Sequence, residues 1–251
     1  MKKLILIVFF ALSFSPSFGQ ENDAENLKVI TRFIDCIRKN KIEDLAQRVS
    51  YPLKRDYPIP MINNKQEFVK RYDQIFDANF TRTILKSNPK KDWSAVGWRG
   101  IMLNSGDLWL GYKGELIAVN YQSKVEQDLW EALVAKDRMT IHKSLRQFSR
   151  PELILQTSKY LIRIDDMGFR EYRYASWKIG SKMSDAPDVI VLNGKVEFDG
   201  TGGNHCFKFT KAEYTYKCDI VEMGEEDSPP AYLVVYKGKK EILTQRATIV
   251  D

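Results

Sequence analysis

The first third of the chain carries apolar residues at helical spacing. Within residues 24–39 they recur every three or four positions and form one stripe: Leu27, Ile30, Phe33, Ile34 and Ile37. The segments 42–49, 64–76 and 80–86 follow the same period. Three prolines between positions 52 and 60 interrupt it, because proline lacks an amide donor and restricts the residue before it. The pattern therefore predicts four helices and one extended segment.

Residues 96–121 combine strand-like alternation with two glycine turns. Ser105-Gly106 and Lys113-Gly114 are typical of two-residue hairpin loops, so they predict three antiparallel strands. The predicted pairs are Leu103 with Leu108, Met102 with Trp109, Ile101 with Leu110 and Arg99 with Tyr112 across the first turn, and Tyr112 with Glu115, Leu110 with Ile117, Trp109 with Ala118 and Leu108 with Val119 across the second. Because side chains alternate along a strand, these registers assign each residue to one of two faces.

The two predicted faces of this sheet differ in what they can contact. One is a core for the helices to cover, and it carries Ile101, Leu103, Leu108, Leu110, Ile117 and Val119. A polar row at its end consists of Arg99, Tyr112 and Glu115. The outer face carries Trp98, Met102, Trp109, Leu116 and Ala118. It is unusually apolar for a surface left in water, so we predict that it meets another domain or, as a homodimer interface, a second copy of the chain.

The chain changes character after Pro151. Nine short apolar or alternating runs follow, with glycine-containing turns between them; Asn193-Gly194 is the predicted turn between the runs 189–192 and 195–198. Many strands without a helical stretch predict an all-β sandwich or barrel over residues 151–251. Residues 123–138 return to helical spacing and are interpreted as a connecting helix within a linker, 123–150. The predicted fold class is therefore α+β.

The N-terminus has the three parts of a secretory signal peptide. Lys2 and Lys3 precede an apolar run from Leu4 to Leu12, and small or polar residues follow as far as Gly19. The run is too short to cross a bilayer, and no later segment reaches the roughly 18 apolar residues that a span requires. We predict a signal peptide over residues 1–19, no membrane span, and a soluble exported protein that is periplasmic or secreted if the source is bacterial.

Charge excludes one class of partner. The formal net charge of +6 becomes +4 when Lys2 and Lys3 leave with the signal peptide, since 6 − 2 = 4. Basic and acidic residues are mixed throughout, and no lysine or arginine stripe carries interleaved aromatic residues. Nucleic acid is therefore not an expected partner.

Three cysteines allow at most one disulfide. Cys36 lies on the apolar side of its predicted helix and is interpreted as a small buried residue. Cys206 and Cys218 flank a predicted hairpin, where a two-residue loop at Lys211-Ala212 would place Cys206 opposite Lys217. A three-residue loop would place Cys206 opposite Cys218 and permit a bridge. Aromatic pairing favours the first register, the poor turn chemistry of Lys-Ala favours the second, and the disulfide stays open.

The order of elements up to residue 121 resembles the nuclear transport factor 2-like family, also called ketosteroid isomerase-like or cystatin-like. The stretches that carry the resemblance are "YPL" at 51–53, "NKQEFVKRYDQIF" at 64–76 and "WRGIMLNSGDLWL" at 98–110. In particular, the likeness is to secreted members in which such a domain precedes a β-rich one. It covers under half of the chain, and residues 150–251 resemble no family that we recognise.

This resemblance implies a fold and a pocket for residues 20–122. In the family, a curved sheet wraps a helix to form a cone whose open end is a pocket. Here the pocket would be faced by three side chains: Arg99, Tyr112 and Glu115. The isomerase members use a carboxylate base and a hydrogen-bonding tyrosine, and the corresponding residue types are supplied by Tyr51, Tyr72 and Asp73. No motif aligns these residues as that pair, so no catalytic role is transferred to them.

Two interpretations of the candidate binding residues stay open. Arg99 could hold a carboxylate ligand in its planar guanidinium, or Glu115 could satisfy it as a cross-strand ion pair, which the predicted register favours. Likewise, Trp98 and Trp109 could stack on a sugar, although packing against a neighbouring element is the favoured interpretation.

No catalytic machinery stands out in the sequence. His142 and His205 are the only histidines and neither has a neighbouring ligand set, so no metal or cofactor is predicted. No Gly-x-Ser-x-Gly elbow occurs. We therefore expect a non-catalytic binding or assembly module of the cell envelope, whose partner is an unknown protein or small molecule. The alternative is a small-molecule-binding protein or enzyme that uses the cone pocket, with Arg99 as its anchor.

Overall fold

The structure, a computed structural model, divides the chain into two compact units. It describes residues 18–200 and 202–250, with side chains from Asp23 onward. The helix–sheet unit comprises the residues up to Tyr51 together with Lys65–Tyr72 and Ala78–Tyr121, and the barrel unit comprises Pro52–Asn64, Asp73–Asp77 and the residues from Gln122. Helices and antiparallel sheets are both present, which confirms the predicted α+β class.

All four helices predicted for the first third are present. They are α1 Phe18–Arg38, α2 Ile42–Ala46, α3 Lys65–Ile75 and α4 Ala78–Lys86. The apolar stripe of α1 is buried at Ile30, Phe33, Ile34 and Ile37, because helical spacing brings these side chains to one side. No helix in the described part of the chain is both long and apolar enough to cross a membrane.

The helix–sheet unit contains a four-stranded antiparallel sheet. Its strands are β1 Trp93–Ala95, β2 Ile101–Leu103, β3 Leu108–Leu110 and β4 Leu116–Val119, in that order across the sheet. The predicted register of the first hairpin is confirmed, since Ile101 pairs with Leu110 and Met102 with Trp109. The first strand was not predicted, because the five residues 96–100 that join it to β2 do not form a recognisable two-residue hairpin turn.

Two residues of the second hairpin, Leu116 and Ile117, were assigned to the wrong faces. Leu110 pairs with Leu116 and not with Ile117, because the turn has three residues, 112–114, and closes with a hydrogen bond of 2.8 Å from Gly111 N to Glu115 O. A bulge then restores the predicted pairing of Trp109 with Ala118. Consequently Leu116 is fully buried in the core, whereas Ile117 is 40 % exposed.

Eight antiparallel strands form a closed barrel. They are β5 Arg150–Thr157, β6 Tyr160–Gly168, β7 Glu171–Lys178, β8 Val189–Phe198, β9 His205–Lys211, β10 Tyr214–Ile220, β11 Ala231–Lys237 and β12 Lys240–Val250. Neighbours in sequence pair with one another, and β12 pairs with β5 to close the ring. Of the two predicted architectures, sandwich and barrel, the structure has the barrel, which leaves no open sheet edge.

The predicted turn at Asn193-Gly194 lies inside a strand. Strand β8 runs through both residues, and Asn193 adopts a positive φ of 61° at an irregularity in the pairing with β7. A side chain at Gly194 would overlap the ring of Phe209, so the glycine provides space for that ring. Glycine here marks a close approach inside the barrel, which a sequence pattern does not distinguish from a turn.

The interior of the barrel is filled with side chains. Its buried core comprises Leu155, Ile162, Ile164, Tyr174, Val191, Phe207, Phe209, Cys218, Ile220, Ala231, Leu233, Val235 and Ala247. An eight-stranded barrel is only wide enough for such a core or for one small ligand. The packed interior therefore leaves the outer wall and the barrel ends as its binding surfaces.

Helix α5, Lys124–Thr140, belongs to the barrel unit, whereas the sequence was interpreted as giving a connecting helix. Ser123 caps its N-terminus by accepting a hydrogen bond of 3.1 Å from Glu126 N. Val134 of the helix packs in one core cluster with Ala175 and Trp177 of β7. Since Tyr174, which precedes Ala175 in β7, faces the barrel interior, the helix packs against the outer side of the barrel wall, in a cluster separate from that interior.

A network of buried charges joins α5 to the barrel wall. Asp165 Oδ1 accepts from Nε of Arg163 at 2.8 Å, and its Oδ2 accepts from Nη2 of Arg173 at 2.6 Å. Arg163 also forks onto Asp137 of α5, with distances of 2.9 and 2.6 Å. Burial opposes the charge on Arg163, but the hydrogen bonds to Asp137 and Asp165 raise its pKa above the usual value. Arg163 is thus held as an ion despite its burial.

The proline-containing segment Pro52–Asn64 is also tied to α5. Arg55 and Glu126 form a buried, two-pronged ion pair, with Nε of Arg55 donating to Oε1 of Glu126 at 2.8 Å. Further along, Nε1 of Trp130 donates to the carbonyl oxygen of Tyr57 at 2.8 Å. These contacts explain why the segment groups with the barrel, although the sequence assigned it to the N-terminal domain, 20–122.

The disulfide between Cys206 and Cys218, which the sequence left open, is not formed, and both residues are free thiols. Neither predicted hairpin register is present, because the two-residue loop lies at Ala212-Glu213. Cys206 is therefore opposite Asp219 and Cys218 is opposite Phe207. Since residues 206 and 207 point to opposite sides of their strand, the two thiols lie on opposite faces of the barrel wall.

We expect a reducing agent to leave the melting temperature of the protein unchanged. A native disulfide typically contributes about 2–4 kcal/mol, so a bridged protein would melt measurably earlier after reduction. Thermal unfolding with and without a thiol reductant makes the comparison, with the reactive thiols counted in denaturant as a control. A lower melting temperature in the reductant, together with fewer than three reactive thiols, would contradict the structure.

Candidate functional site

A groove of about 610 Å³ opens in the helix–sheet unit between α1, α2 and the turn before β4. It is lined by Leu27, Lys28, Val29, Thr31, Arg32, Phe33, Asp35, Cys36, Lys39, Lys41, Asp44, Leu45, Arg48 and Gly114. This volume lies within the range of about 300–1,000 Å³ that is usual for ligand pockets. The groove is therefore large enough to receive a small ligand or several side chains of a partner.

The groove has an apolar floor. Phe33 of α1 and Leu45 of α2 are buried. Leu27, six residues before Phe33 in α1, is half-buried. Leu27 and Phe33 both line the groove from α1, and α2 supplies Leu45. A ligand in this groove would meet carbon atoms at its base.

Basic side chains line the walls, and some have no carboxylate partner. Lys28 pairs with Glu25 at 2.6 Å, and Lys41 pairs with Asp44 at 3.4 Å. Within the described residues, no ion pair involves the other three lining cations, which are Arg32, Lys39 and Arg48. The groove therefore presents an apolar floor with an excess of positive charge above it.

Cys36 is the one thiol in this lining, and it is not poised to react. Its Sγ donates to the carbonyl oxygen of Lys41 at 3.5 Å. Burial raises the pKa of the Cys36 thiol, and the nearby carboxylate of Asp44 raises it further. Because the thiolate is the nucleophile, a raised pKa leaves Cys36 as a neutral lining residue.

Arg99 does not lie on a strand, so its predicted pairing with Tyr112 is wrong. It ends a short 3-10 helix, Gly97–Arg99, and its guanidinium lies 5.5 Å from the ring centre of Trp98. The chain turns here because Gly97 and Gly100 both adopt positive φ, and Val96 N donates to Gly100 O at 2.8 Å.

Two other members of the predicted polar row have separate neighbours. The hydroxyl of Tyr112 donates to the carbonyl oxygen of Gly97 at 2.5 Å. The carboxylate of Glu115 folds back over Gly111. Among the described residues, Glu115 forms no ion pair with Arg99, so the cross-strand pair that the predicted register favoured is not found.

The tyrosine and aspartate residues suggested by the family resemblance are dispersed. Tyr51 donates to the carbonyl oxygen of Ala46 at 2.9 Å, and burial raises its pKa to about 12. Tyr72 is buried with its ring edge against Phe68, and Asp73 is exposed. None of the six predicted ligand-binding residues lines the groove.

The predicted outer face of the sheet carries its aromatic residues at different depths. Trp98 is 62 % exposed, whereas Met102 and Trp109 are half-buried. The Trp109 indole covers Gly106. This face stays a predicted contact surface, and its role as a homodimer interface stays a prediction.

The groove residues were missed by sequence reasoning, although a signal for them exists. Lys28, Arg32, Asp35 and Lys39 follow one another at intervals of four, three and four, which places them on one side of α1 beside the apolar stripe. Their position near α2 depends on tertiary packing and is invisible in the sequence. Arg48, on the far wall, carries no periodic signal.

Metal binding has no candidate cluster in the structure. Residues 18–200 and 202–250 contain no group of three or more histidine, cysteine, aspartate or glutamate side chains that could hold an ion. His142 caps the short helix Lys143–Leu145, and His205 lies between the rings of Phe198 and Phe207.

The end of the barrel where β5 begins holds a second group of charges. Glu152 is half-buried, and its Oε2 lies 3.8 Å from Nε of Arg150. Burial raises the pKa of the Glu152 carboxyl above its ordinary value; Arg150 lowers it, Asp166 and Asp56 raise it, and His205 lowers it. The balance leaves the ionised form of Glu152 less favourable than in water.

Replacing Glu152 by glutamine is expected to stabilise the protein at neutral pH and to have little effect in acid. A carboxyl whose pKa is higher in the folded state costs stability as it ionises, so the free energy of unfolding falls as the pH rises from the ordinary value of 4.5 through the folded value. Each unit of difference corresponds to about 1.4 kcal/mol. Urea unfolding of both proteins over a pH series tests this; a constant difference at every pH would contradict it.

Comparison of the chain with models of protein families, with curated proteins and with solved structures found no match. By architecture it is an α+β protein that combines a helix–sheet unit, with four strands, and a closed eight-stranded antiparallel barrel.

Proposed function

We propose that this protein is an exported, non-catalytic binding module of the cell envelope, and that the groove between α1 and α2 is its binding site. The observation that carries the proposal is an apolar floor beneath three cations, Arg32, Lys39 and Arg48, that have no carboxylate partner in the part of the chain that the structure describes. This combination fits a partner segment that carries both carboxylates and apolar side chains.

The chemistry of the groove favours an acidic, amphipathic peptide. Arginine presents planar donors that match the two oxygens of a carboxylate, and Arg32 and Arg48 are exposed on opposite walls. The floor formed by Phe33 and Leu45 would receive leucine-like side chains. An open groove of this length suits a short helix or strand that lies along α1, because such partners dock through regularly spaced anchors.

A pair of matched peptides tests the proposal. One is a synthetic amphipathic helix of leucine and glutamate, and the other has lysine at every glutamate. Calorimetric titration should show binding of the acidic peptide, weakened by salt because charged contacts contribute. The variant Arg32→Glu, Lys39→Glu, Arg48→Glu should bind at least about tenfold more weakly, a loss of about 1.4 kcal/mol.

The control variant makes the same change of charge outside the groove. Lys70, Lys86 and Lys91 are exposed cations of the same unit, and they do not line the groove. Their joint replacement by glutamate should leave most of the affinity intact. Equal losses in the two variants, or absence of binding of the acidic peptide to the wild type, would refute the proposed site.

Export and family membership are part of the same proposal. The basic, apolar and small-residue segments of positions 1–19 support a cleaved signal peptide, and we expect the exported chain to begin near Gln20. The order of helices before an antiparallel sheet supports a nuclear transport factor 2-like cone for the helix–sheet unit. Intact mass of the exported protein tests the first point, and retention of Met1 in it would be contrary evidence.

A further inference from the structure

Three apolar side chains protrude from one end of the barrel. Phe169 is fully exposed at 101 %, Phe198 is 72 % exposed and Met223 is 52 % exposed. They lie in or beside the loops after β6, β8 and β10. Because successive strands of this barrel run in opposite directions, these three loops share one end, together with the start of β5. We call this surface the apolar rim: Phe169, Phe198 and Met223.

The side chain of Phe169 is not packed against the barrel, and its backbone conformation is unfavourable. It occupies the tip of the β6–β7 hairpin with a φ of 55°, followed by Arg170 at 61°. Glycine and asparagine suit positive φ, whereas a bulky side chain there is uncommon and strained. A fully exposed ring at such a position does not stabilise the fold, and strain of this kind concentrates at functional surfaces.

The rim continues into the barrel as a series of aromatic rings. Phe198 lies 5.5 Å from His205, His205 lies 5.4 Å from Phe207, and Phe207 lies 4.9 Å from Tyr172, all between ring centres. The inner rings are packed in the barrel core. Phe198 is therefore held on a rigid base, so little conformational freedom would be lost when a partner covers it.

The charge around the apolar rim indicates the charge of a complementary partner. The three loops contain five carboxylates and one basic residue, Arg170. Glu222 is paired with Lys54. The remaining four have no ion pair within the described residues: Asp199, Glu225, Glu226 and Asp227. Exposed apolar side chains beside an excess of unpaired negative charge are complementary to a surface that is apolar and basic.

We propose that the apolar rim is a docking surface for a basic protein, which covers Phe169, Phe198 and Met223 while its lysine or arginine side chains meet the surrounding carboxylates. This surface is additional to the groove between α1 and α2 and takes a partner of the opposite charge. Its contribution comes mainly from the two phenylalanines, because interfaces gain most of their affinity from a few large side chains at their centre.

Peptide binding measured by fluorescence anisotropy tests the docking surface. The probe is a labelled synthetic peptide of alternating lysine and leucine, and the comparison peptide has glutamate at every lysine. The variant Phe169→Ser, Phe198→Ser, Met223→Ser should bind the lysine peptide at least about tenfold more weakly than the wild type. The variant Glu225→Lys, Glu226→Lys should also bind more weakly, with the difference shrinking in high salt.

A matched control uses other exposed apolar residues of the barrel unit. Ile179, Leu192 and Ile242 are exposed and lie outside the three loops. Their joint replacement by serine should leave the affinity for the lysine peptide within about twofold, since peripheral contacts contribute little. Absence of binding to the wild type, or an equal loss in the control, would overturn the docking surface. The groove is tested with a peptide of opposite charge, so either proposal can fail alone.

Discussion

Replacing Asp165 by alanine is expected to lower the free energy of unfolding by about 3–5 kcal/mol. Asp165 is fully buried, and its two oxygens accept from the guanidinium groups of Arg163 and Arg173, which are themselves buried. Arginine cannot lose its proton, so removal of the shared carboxylate leaves two buried cations without part of their compensation. Few single substitutions in this chain carry a larger expected cost.

Urea unfolding of the variant measures this loss. Asp199→Ala is the matched control, because Asp199 is an exposed aspartate of the same unit without an ion pair in the described structure, and its expected effect lies within about 0.5 kcal/mol. In the variant, Arg173 retains its hydrogen bonds to the carbonyl oxygens of Leu145 and Gln147. The loss of stability is therefore smaller than it would be for an arginine with no remaining partner. A loss below about 1 kcal/mol would show that the network is not closed as described.

Replacing Glu126 by alanine is expected to destabilise the protein by a similar amount, about 3–5 kcal/mol. Its carboxylate is fully buried and receives both prongs of the Arg55 guanidinium, which is 3 % exposed. The charge of Arg55 would then lie in a poorly solvated site. Since this pair ties Pro52–Asn64 to α5, the variant should also expose that segment to proteolysis.

A double substitution separates two effects: the cost of leaving the buried Arg55 without the Glu126 carboxylate, and the contribution of the ion pair itself to stability. Arg55→Met with Glu126→Leu removes both ions and keeps apolar volume, so it should recover most of the stability lost in the single variant. The exposed Glu131 of the same helix provides the control, and its replacement by alanine should change stability by less than about 0.5 kcal/mol. A double variant as unstable as Glu126→Ala would contradict this explanation.

Local sequence patterns predicted the structure correctly where the spacing of neighbouring residues alone determined it. Apolar spacing predicted the buried stripe of α1, and the Ser105-Gly106 turn predicted the pairing of Met102 with Trp109. Nine alternating runs after Pro151 predicted a β-rich unit. Two of these runs, 189–192 and 195–198, form the single strand β8, and the eight strands that result close into a barrel. In each case the spacing of neighbouring residues carries the information.

The predictions that were wrong depended on the length or position of a single turn, or on the backbone conformation of one or two residues. A turn longer by one residue exchanged Ile117 for Leu116 in the core, and a turn displaced by one residue changed the partner of Cys206 from Lys217 to Asp219. Arg99 left its predicted strand because two nearby glycines adopt positive φ. A shift of one position reverses the face of every later side chain, so hairpin predictions are sensitive to turn length.

The candidate site depended on tertiary structure to a greater degree. Half of the groove comes from α1, whose basic residues have a periodic signal, but the other wall comes from α2 and a hairpin turn. Sequence reasoning concentrated on the sheet, where Arg99 and Glu115 have separate neighbours. The buried ion pairs were missed for the same reason, because Arg55 and Glu126 are 71 positions apart.

The two proposed surfaces differ in charge and belong to different units of the protein. Above its apolar floor the groove presents three cations, and the apolar rim presents rings among four carboxylates; none of these charged groups has an ion pair within residues 18–200 and 202–250. Such an arrangement suits a module that holds two unlike partners, which agrees with a role in assembly. Because both surfaces are charged, both affinities should fall as salt concentration rises.

The most direct test of the binding groove is a chemical-shift map of the isotope-labelled protein titrated with the leucine–glutamate peptide. We predict that the backbone amides that respond lie in α1 from Leu27 onward, at the following Lys39, in α2 and near Arg48, and in the turn at Gly114. Responses confined to Arg99, Tyr112 and Trp109, which lie outside the groove, or no response at all, would contradict the groove as the binding site.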